Sequence, residues 1–370
     1  MSWPIKPLGE LVENCNAKRV PLKQSERDGR TGKYRYYGAS GIIDFVDDFL
    51  FDGDYLLIGE DGNNLLSRTT PIAFHASGQF WVNNHAHVLK CNGKVDLGFL
   101  AYYINSINLE PYITGSAQPK LNKKNLDAIK IPLPPLEEQK RIAAILDKAD
   151  VIRQKRKQAI ELADEFLRSV FLDMFGSDLV RPSDRVSFGD VSILDAKMVD
   201  PREEKYLDLL HIGPDRIQKR SGKLLPALTA REEMLISKKF LFDAEYVLYS
   251  KIRPYLRKAA IPDFSALCSA DMYPVKPVKD KVTREFIWML LLSDLFDNYV
   301  GSLPDRANIP KLNKKELAAF EFSLPNFEKI KKFSDVVKKA NYKKSKMEES
   351  FRLAVCSFNA LSQKAFSGQL

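Results

Sequence analysis

Between Glu137 and Phe175 apolar side chains return every three or four positions, at Ile142, Ile145, Leu146, Ala149, Ile152, Ile160, Ala163, Leu167, Val170 and Met174. That period keeps them on one face and predicts a single helix of about 39 residues, roughly 58 Å long at 1.5 Å per residue. Moved 191 residues along the chain, the pattern returns at Phe333, Val336, Val337, Ala340, Met347, Phe351, Ala354, Phe358 and Leu361, and Phe175 falls on Phe366. Prolines precede each run, in Leu133-Pro134-Pro135 and in Leu324-Pro325, and a residue with no N–H to donate limits where the helix can begin. A long helix with one apolar seam needs a partner, and the chain supplies one of equal length. The expected arrangement is an antiparallel pair with a domain at each end.

The stretches before the two helices read as short strands and turns. In residues 1–136 the pattern predicts a short helix near Glu10–Asn14, a charged loop from Lys23 to Lys33, and two strands across Tyr34–Val46 about the turn Gly38-Ala39-Ser40-Gly41. Asp52-Gly53-Asp54 reads as a hairpin turn into the strand Tyr55–Gly59, which ends at the turn cluster Glu60–Asn64. Strands follow at Pro71–Phe74 and Ala86–Leu89, then a helix at Leu97–Asn105.

The second half repeats this order. FLFDAEYVLYSKIRP at 240–254 echoes FLFDGDYLLIGEDGN at 49–63, and PKLNKKELAAFEFSLPNF at 310–327 matches PKLNKKNLDAIKIPLPPL at 119–136. Phe188-Gly189-Asp190-Val191 echoes Leu8-Gly9-Glu10-Leu11, and Arg284–Phe296 echoes Leu97–Leu109. A tandem duplication accounts for all of it. The expected fold is α+β, with strand-rich domains at 1–136 and 177–327 and long helices at 137–176 and 328–370, related by a pseudo-two-fold. The halves share apolar, Gly and Pro positions, whereas the loops differ, and loops are where specificity resides on a rigid frame.

Composition narrows the function. The chain of 370 residues carries a formal charge of +9, which favours a polyanionic partner, yet six of the nine excess charges lie in 328–370. A lysine-rich helix such as Lys329–Lys346 is more often a solvated face than a phosphate track. No apolar run is long enough to span a membrane and the N-terminus lacks the form of a signal peptide, so a cytoplasmic protein is expected. Cys15, Cys91, Cys268 and Cys356 are scattered without a C-x-x-C pair, as suits buried free thiols and not a zinc site.

No Gly-rich loop ends in Lys-Ser/Thr, and no Asn/Asp-Pro-Pro-aromatic tetrapeptide of the kind adenine methyltransferases use is present. His85 and His87 could ligate a metal but read better as ordinary polar or core residues, so no metal site is expected. Pro262-Asp263 and Pro304-Asp305 lack a nearby acidic-x-Lys, and no nucleophile, base and orienter set emerges.

The tandem order, the tract G-S-A-Q-P-K-L-N at 115–122, I-P-L-P-P-L-E-E-Q-K-R-I-A-A-I-L-D at 131–147 and the ending Gln363–Leu370 resemble the specificity subunit of a Type I restriction-modification enzyme. The resemblance covers essentially the whole chain. It implies a noncatalytic subunit in which each α/β half is a target recognition domain reading one part of a split double-stranded DNA sequence. The coiled-coil helices would bind methyltransferase subunits, two of them, and set the spacing. Restriction and translocase subunits would join. No cofactor is implied for this chain, while S-adenosylmethionine, ATP and Mg2+ are implied for its partners. In the second helix Phe327-Glu328-Lys329-Ile330 replaces Leu136-Glu137-Glu138-Gln139, a departure from the family wording. Two other classes remain open on the residues alone, a single-chain nuclease and a scaffold that binds nucleic acid without sequence preference.

For DNA contacts the chemistry of the loops selects Lys33, Arg35, Tyr36 and Ser40 around the first turn, Asn63, Asn64 and Arg68 after the second, and Gln118, Lys120 and Asn122 in the family tract. In the second domain it selects Lys251, Arg253, Tyr255 and Arg257, with Arg306, Asn308, Lys311 and Asn313 before the helix. Arg reads guanine and Asn or Gln reads adenine, while Lys and Tyr more often hold phosphate. Helix pairing or partner binding is assigned to Ile142, Leu146, Ala149, Ile160, Leu167, Phe333, Val337, Phe351 and Phe358.

Overall fold

The computed structural model describes residues 3–115, 117–304 and 310–370. They form two compact units, Met1–Arg156 with Ser350–Leu370 as unit 1, and Lys157–Glu349 as unit 2.

In unit 1 the strand-rich stretch closes on itself, because the strand Ile5–Pro7 pairs antiparallel with Lys130–Pro132, Ile5 opposite Pro132. Between these ends lies a scaffold sheet in the order Val12–Asn14, Ala86–Cys91, Tyr55–Gly59, Ala73–Ala76. All five residues of Tyr55–Gly59 are buried, as its central place demands. A second sheet runs Gly41–Val46, Thr31–Gly38, Gln79–Val82, Phe51–Asp52.

Unit 2 repeats the plan. Arg185–Ser187 pairs with Glu321–Ser323, and the scaffold sheet runs Ser192–Ile193, Met272–Pro277, Val247–Ser250, Ala259–Ala260. Its second sheet runs Met198–Val199, Lys239–Phe242, Ala266–Cys268, His211–Ile212. Three strands of the second sheet correspond, since Thr31–Gly38 and His211–Ile212 each lie parallel to the next strand, which pairs antiparallel with Phe51–Asp52 or Lys239–Phe242. The fourth strand is added at opposite edges, Gly41–Val46 beside Thr31–Gly38 in unit 1 and Met198–Val199 beside Lys239–Phe242 in unit 2. The halves therefore differ by an edge strand as well as by loops.

Several local expectations change. The helix expected near Glu10–Asn14 is a 3-10 turn, Leu8–Glu10, followed by the strand Val12–Asn14, because a five-residue helix is too short to hold alone and Val12 is buried at the sheet edge. Asp52-Gly53-Asp54 is no hairpin. Phe51–Asp52 belongs to the second sheet and Tyr55–Gly59 to the scaffold sheet, and Gly53, at φ 115°, carries the chain between them. The charged loop contains the helix Gln24–Asp28 and the first residues of Thr31–Gly38. The strand Gln79–Val82 was not read from the sequence. Of the cysteines expected to be buried thiols, Cys15 and Cys268 are buried, while Cys91 is half-buried and Cys356 exposed.

The long helices span Leu136–Leu179 and Phe327–Phe366. The first continues past Gly176 because Leu179 is buried against unit 2. Within each unit the two helices run antiparallel. Arg153 stacks on Phe358 and Arg156 donates to the Ser350 carbonyl in unit 1, while Asp164 pairs with Lys344 and Asp178 with Lys329 in unit 2.

Each strand-rich stretch docks a helix on this pair by the same device. In unit 1 Phe99, on Leu97–Ser106, meets Phe366 at 5.5 Å, and in unit 2 Phe286, on Arg284–Leu292, meets Phe175 at 5.2 Å. The seam is dense only beside these docks. Ile142, Leu146, Leu167, Phe333 and Val337 are buried, but Ala149, Ile160, Phe351 and Phe358 are half-buried, and Ile152 is 49% exposed. No residue is buried between Leu146 and Leu167 or between Val337 and Ala354, where ion pairs and carbonyl bonds take over. No helix among the described residues is long and apolar enough to cross a membrane.

Candidate nucleic-acid interface

In both units the structure joins the turn after the central scaffold strand to the repeated Pro-Lys-Leu-Asn tract. In unit 1 Leu121 donates to the Glu60 carbonyl at 2.8 Å and Gly62 to the Pro119 carbonyl at 3.0 Å. In unit 2 Leu312 donates to Lys251 at 2.9 Å and Arg253 to Pro310 at 2.8 Å. A third segment meets the same turn, since Glu60 donates to the His85 carbonyl at 2.8 Å and Lys251 to that of Asp271 at 3.1 Å.

The two sites place oppositely charged residues at the centre of this common frame. In unit 1 the centre is Glu60, with Arg19 at 2.7 Å and Lys120 at 3.4 Å, and His85 pairs with Asp61 at 2.9 Å. Burial, the largest single influence, pushes the Glu60 carboxyl upward, but the hydrogen bond and charge of Arg19 together with His87 and Lys120 outweigh it and hold the group below its ordinary value. In unit 2 Lys251 stands at the Glu60 position, and Asp271 lies 3.7 Å from Lys251 and 3.9 Å from Lys311.

His87 fastens the site to the core and is no ligand. It is 1% exposed, with Nε2 at 2.7 Å from the Leu121 carbonyl and Nδ1 at 2.8 Å from Nδ2 of Asn16. The Asn16 amide donates to Nδ1, so Nε2 carries the proton and the ring is neutral. Burial lowers its pKa despite the pull of the Leu121 carbonyl and of Glu60. The unfolded chain therefore protonates His87 at a higher pH than the folded one, and unit 1 should lose stability as pH falls below about 6.5. Glu60 contributes in a lower window, with its stabilisation lost only as pH falls below about 4.3. Urea titrations at pH 7 and pH 5.5 should show the loss, and His87→Gln should reduce that difference. An equal difference in the variant would place the titrating group elsewhere.

The remaining sequence-selected residues separate into two groups. Lys33, Arg35, Ser40, Asn63, Gln118, Lys120, Arg253, Tyr255 and Lys311 are exposed. Lys33 lies over the Tyr34 ring, and among the described residues the Arg35 and Arg253 guanidinium groups have no partner. Arg253 sits at φ 48°, a left-handed conformation that a bulky residue adopts only when its surroundings hold it there.

The others are occupied. Tyr36 is 1% exposed, and its hydroxyl accepts from the Leu22 amide. Asn64 closes its own loop through Thr69 and Thr70. Arg68 folds over the carbonyls of Ile104 and Asn105, and Arg257 binds Asp294 and Asp297. Asn122 and Asn313 cap the helices Lys123–Asp127 and Lys314–Ala318 by accepting from Asn125 and Glu316, which explains why both copies keep that residue. Lys251 is half-buried beside Asp271. Arg306 and Asn308 lie outside the described residues. Sequence reasoning missed Arg19 and a basic hairpin at Arg216–Leu225, whose only signal was Arg220-Ser221-Gly222. Among the described residues no group of His, Cys, Asp and Glu gathers as a metal site.

The family model for the type I restriction modification DNA specificity domain matches residues 2–162. That match covers the first strand-rich stretch and part of the first long helix, under half of the chain. A putative type I restriction enzyme specificity subunit of Haemophilus influenzae, S.HindORF215P, is 39% identical over 142 residues, 38% of this chain and 36% of that protein. The Escherichia coli type I restriction enzyme EcoDI specificity subunit is 23% identical along all of this chain and 89% of its own length. The S subunit of the M. genitalium type I restriction-modification system shares the fold, at a TM-score of 0.63 and 15% identity over 99% of this chain and 96% of that one. In this chain the repeated parts are the scaffold sheet, the end-pairing strands and the helix docks, and the unrepeated parts are the turn chemistry and the edge strand.

Proposed function

We propose that this chain reads a two-part DNA sequence, one part per unit, and brings methyltransferase subunits to it without a catalytic set of its own. The observation that carries the reading is the pairing of a shared scaffold frame with an oppositely charged central residue, Glu60 in one unit against Lys251 in the other. Two readers built alike but lined differently suit two unlike half-sites. Arg35, Asn63, Gln118 and Lys120 in unit 1, and Arg253, Tyr255 and Lys311 in unit 2, are the exposed groups able to meet base edges or phosphates.

The helices also offer a surface to a protein partner. Leu162 and Phe166, one turn apart on the first helix, are 53% and 54% exposed, an apolar patch suited to a methyltransferase subunit. S-adenosylmethionine belongs to that partner, and ATP and Mg2+ to the restriction subunits. Methylome sequencing of cells that express the chain with its methyltransferase should return a motif of two short blocks around an unspecified spacer. A single continuous motif, or methylation by the purified chain alone, would overturn the proposal.

A further inference from the structure

The excess positive charge has a definite place in unit 2. Lys332, Lys338, Lys339 and Lys343 are exposed on the second long helix, on the half turned away from the buried Phe333 and Val337. Among the described residues their ammonium groups have no partner. Lys331 and Lys346 on the same side are tied to Glu328 and Glu349, and Asp335 stands among them. Tyr342, 68% exposed, is the one large apolar surface there. The first helix of the same unit shows a different exposed character, the apolar Leu162, Phe166 and Leu172.

A second observation links this helix to the candidate interface. The hairpin Arg216–Leu225 pairs Ile217 with Leu224 and presents Lys219 and Arg220 at its exposed tip, with no side-chain partner among the described residues. Its position is tightly held. The Arg220 amide donates to the Arg257 carbonyl at 3.1 Å, while the Arg220 carbonyl accepts from Arg168 on the first long helix at 3.0 Å. Lys223 pairs with Glu348 on the second long helix at 2.9 Å. Gly222, at φ 67°, leaves no room for a side chain, since a Cβ would lie 2.7 Å from the Trp288 ring. The hairpin is stitched to the Arg253–Arg257 loop on one side and to both helices on the other.

We propose that the hairpin tip and the lysine face of the second helix form a sequence-independent phosphate-binding surface, holding duplex DNA beside the bases met by the Arg253–Arg257 loop. The inference rests on the DNA-reading function proposed above. Flexible ammonium groups without an ion-pair partner suit phosphates, each releasing bound cations when it lands. A protein partner fits this face poorly, because interface centres are depleted in lysine and rich in aromatic and apolar groups.

The test uses the full chain assembled with its methyltransferase subunits, a duplex carrying the motif found by methylome sequencing, and the same duplex with that motif scrambled. The variants are Lys332→Gln/Lys338→Gln/Lys339→Gln/Lys343→Gln and, separately, Lys219→Gln/Arg220→Gln. Plotting log affinity against log salt, the slope should become shallower by about 3.6 in the quadruple variant and about 1.8 in the double, at about 0.9 per phosphate contact. Affinity for both duplexes should fall by one common factor, leaving their ratio unchanged. An unchanged slope in the quadruple variant overturns the proposal, and so does a changed ratio, which would mean base reading. Loss of the methyltransferase subunit at unchanged slope would assign the face to an acidic protein surface instead. A wild-type complex with no preference for the motif duplex would sink the DNA-reading proposal, while the slope comparison would still decide whether this face meets phosphate.

Discussion

Phe175→Ala should destabilise unit 2 by about 3–5 kcal/mol, the range for removing a buried phenylalanine ring. The ring is fully buried and lies 5.3 Å from Phe171, 5.2 Å from Phe286 and 5.5 Å from Phe333. These partners come from the first long helix, the docked helix Arg284–Leu292 and the second long helix, so the hole cannot close without moving all three. Edge-to-face contacts to Phe286 and Phe333 are lost as well. Domains are stable by only about 5–15 kcal/mol, so the loss takes a large part of the total. Phe366→Ala, the repeat-equivalent change in unit 1, should cost less because Phe366 is half-buried. Ile152→Ala, on the same predicted seam but 49% exposed, should stay within about 0.5 kcal/mol. Urea titration measures the cost, and hydrogen exchange across Arg284–Leu292 shows whether it falls on the dock. A Phe175→Ala cost below about 1 kcal/mol would mean that the ring is not the joint between strand-rich stretch and helices.

On the proposed function, replacing residues 5–132 by the corresponding stretch of a type I specificity subunit should exchange one half of the methylated motif and leave the other half as it was. The physical reason lies in how the stretch is closed. Its two ends pair with each other, Ile5 opposite Pro132, so the chain leaves where it enters and the inserted part can change freely. Unit 2 is closed the same way, Arg185 opposite Ser323. The graft must still satisfy the docking groups. The buried Gln139 accepts from the Asp96 amide at 2.8 Å, Tyr102 donates to Asp147 at 2.7 Å, and Phe99 packs on Phe366. A donor lacking these partners leaves the buried Gln139 Oε1 without its hydrogen bond, which costs about 1–3 kcal/mol on its own, while Nε2 keeps the Pro134 carbonyl. Methylome sequencing of the chimera reads the result. Altered bases in both halves would refute independent readers.

The chain pattern by itself determined the two long helices, their repeat and the stretches that fold ahead of them. A period of three and four over about 39 residues admits no other element, and proline bounds it. The turn about Ala39-Ser40 and the helix Leu97–Ser106 were equally legible, since glycine turns and a compact apolar stripe act locally. Periodicity could not say where the seam is dense. Ile142 and Ile152 look alike in the sequence, but only Ile142 lies under a docked helix, and the second is left half in water.

The site divided along the same line. Residue type marked out Arg253 and Lys120, which are exposed, but it equally marked Tyr36, Asn64 and Arg257, whose polar groups are taken by a backbone amide, a loop and two carboxylates. Asn122 and Asn313 were repeated because a helix N-terminus needs an acceptor, a local demand that the words Leu-Asn-Lys-Lys already carried. Tertiary structure alone decided the opposite edge strands, the hairpin at 216–225 and the meeting of Glu60 or Lys251 with the Pro-Lys-Leu-Asn tract. Those depend on which strand finds which neighbour across dozens of residues. Strand pairing is written in no local period, because the same alternation of side chains serves any partner that covers its apolar face.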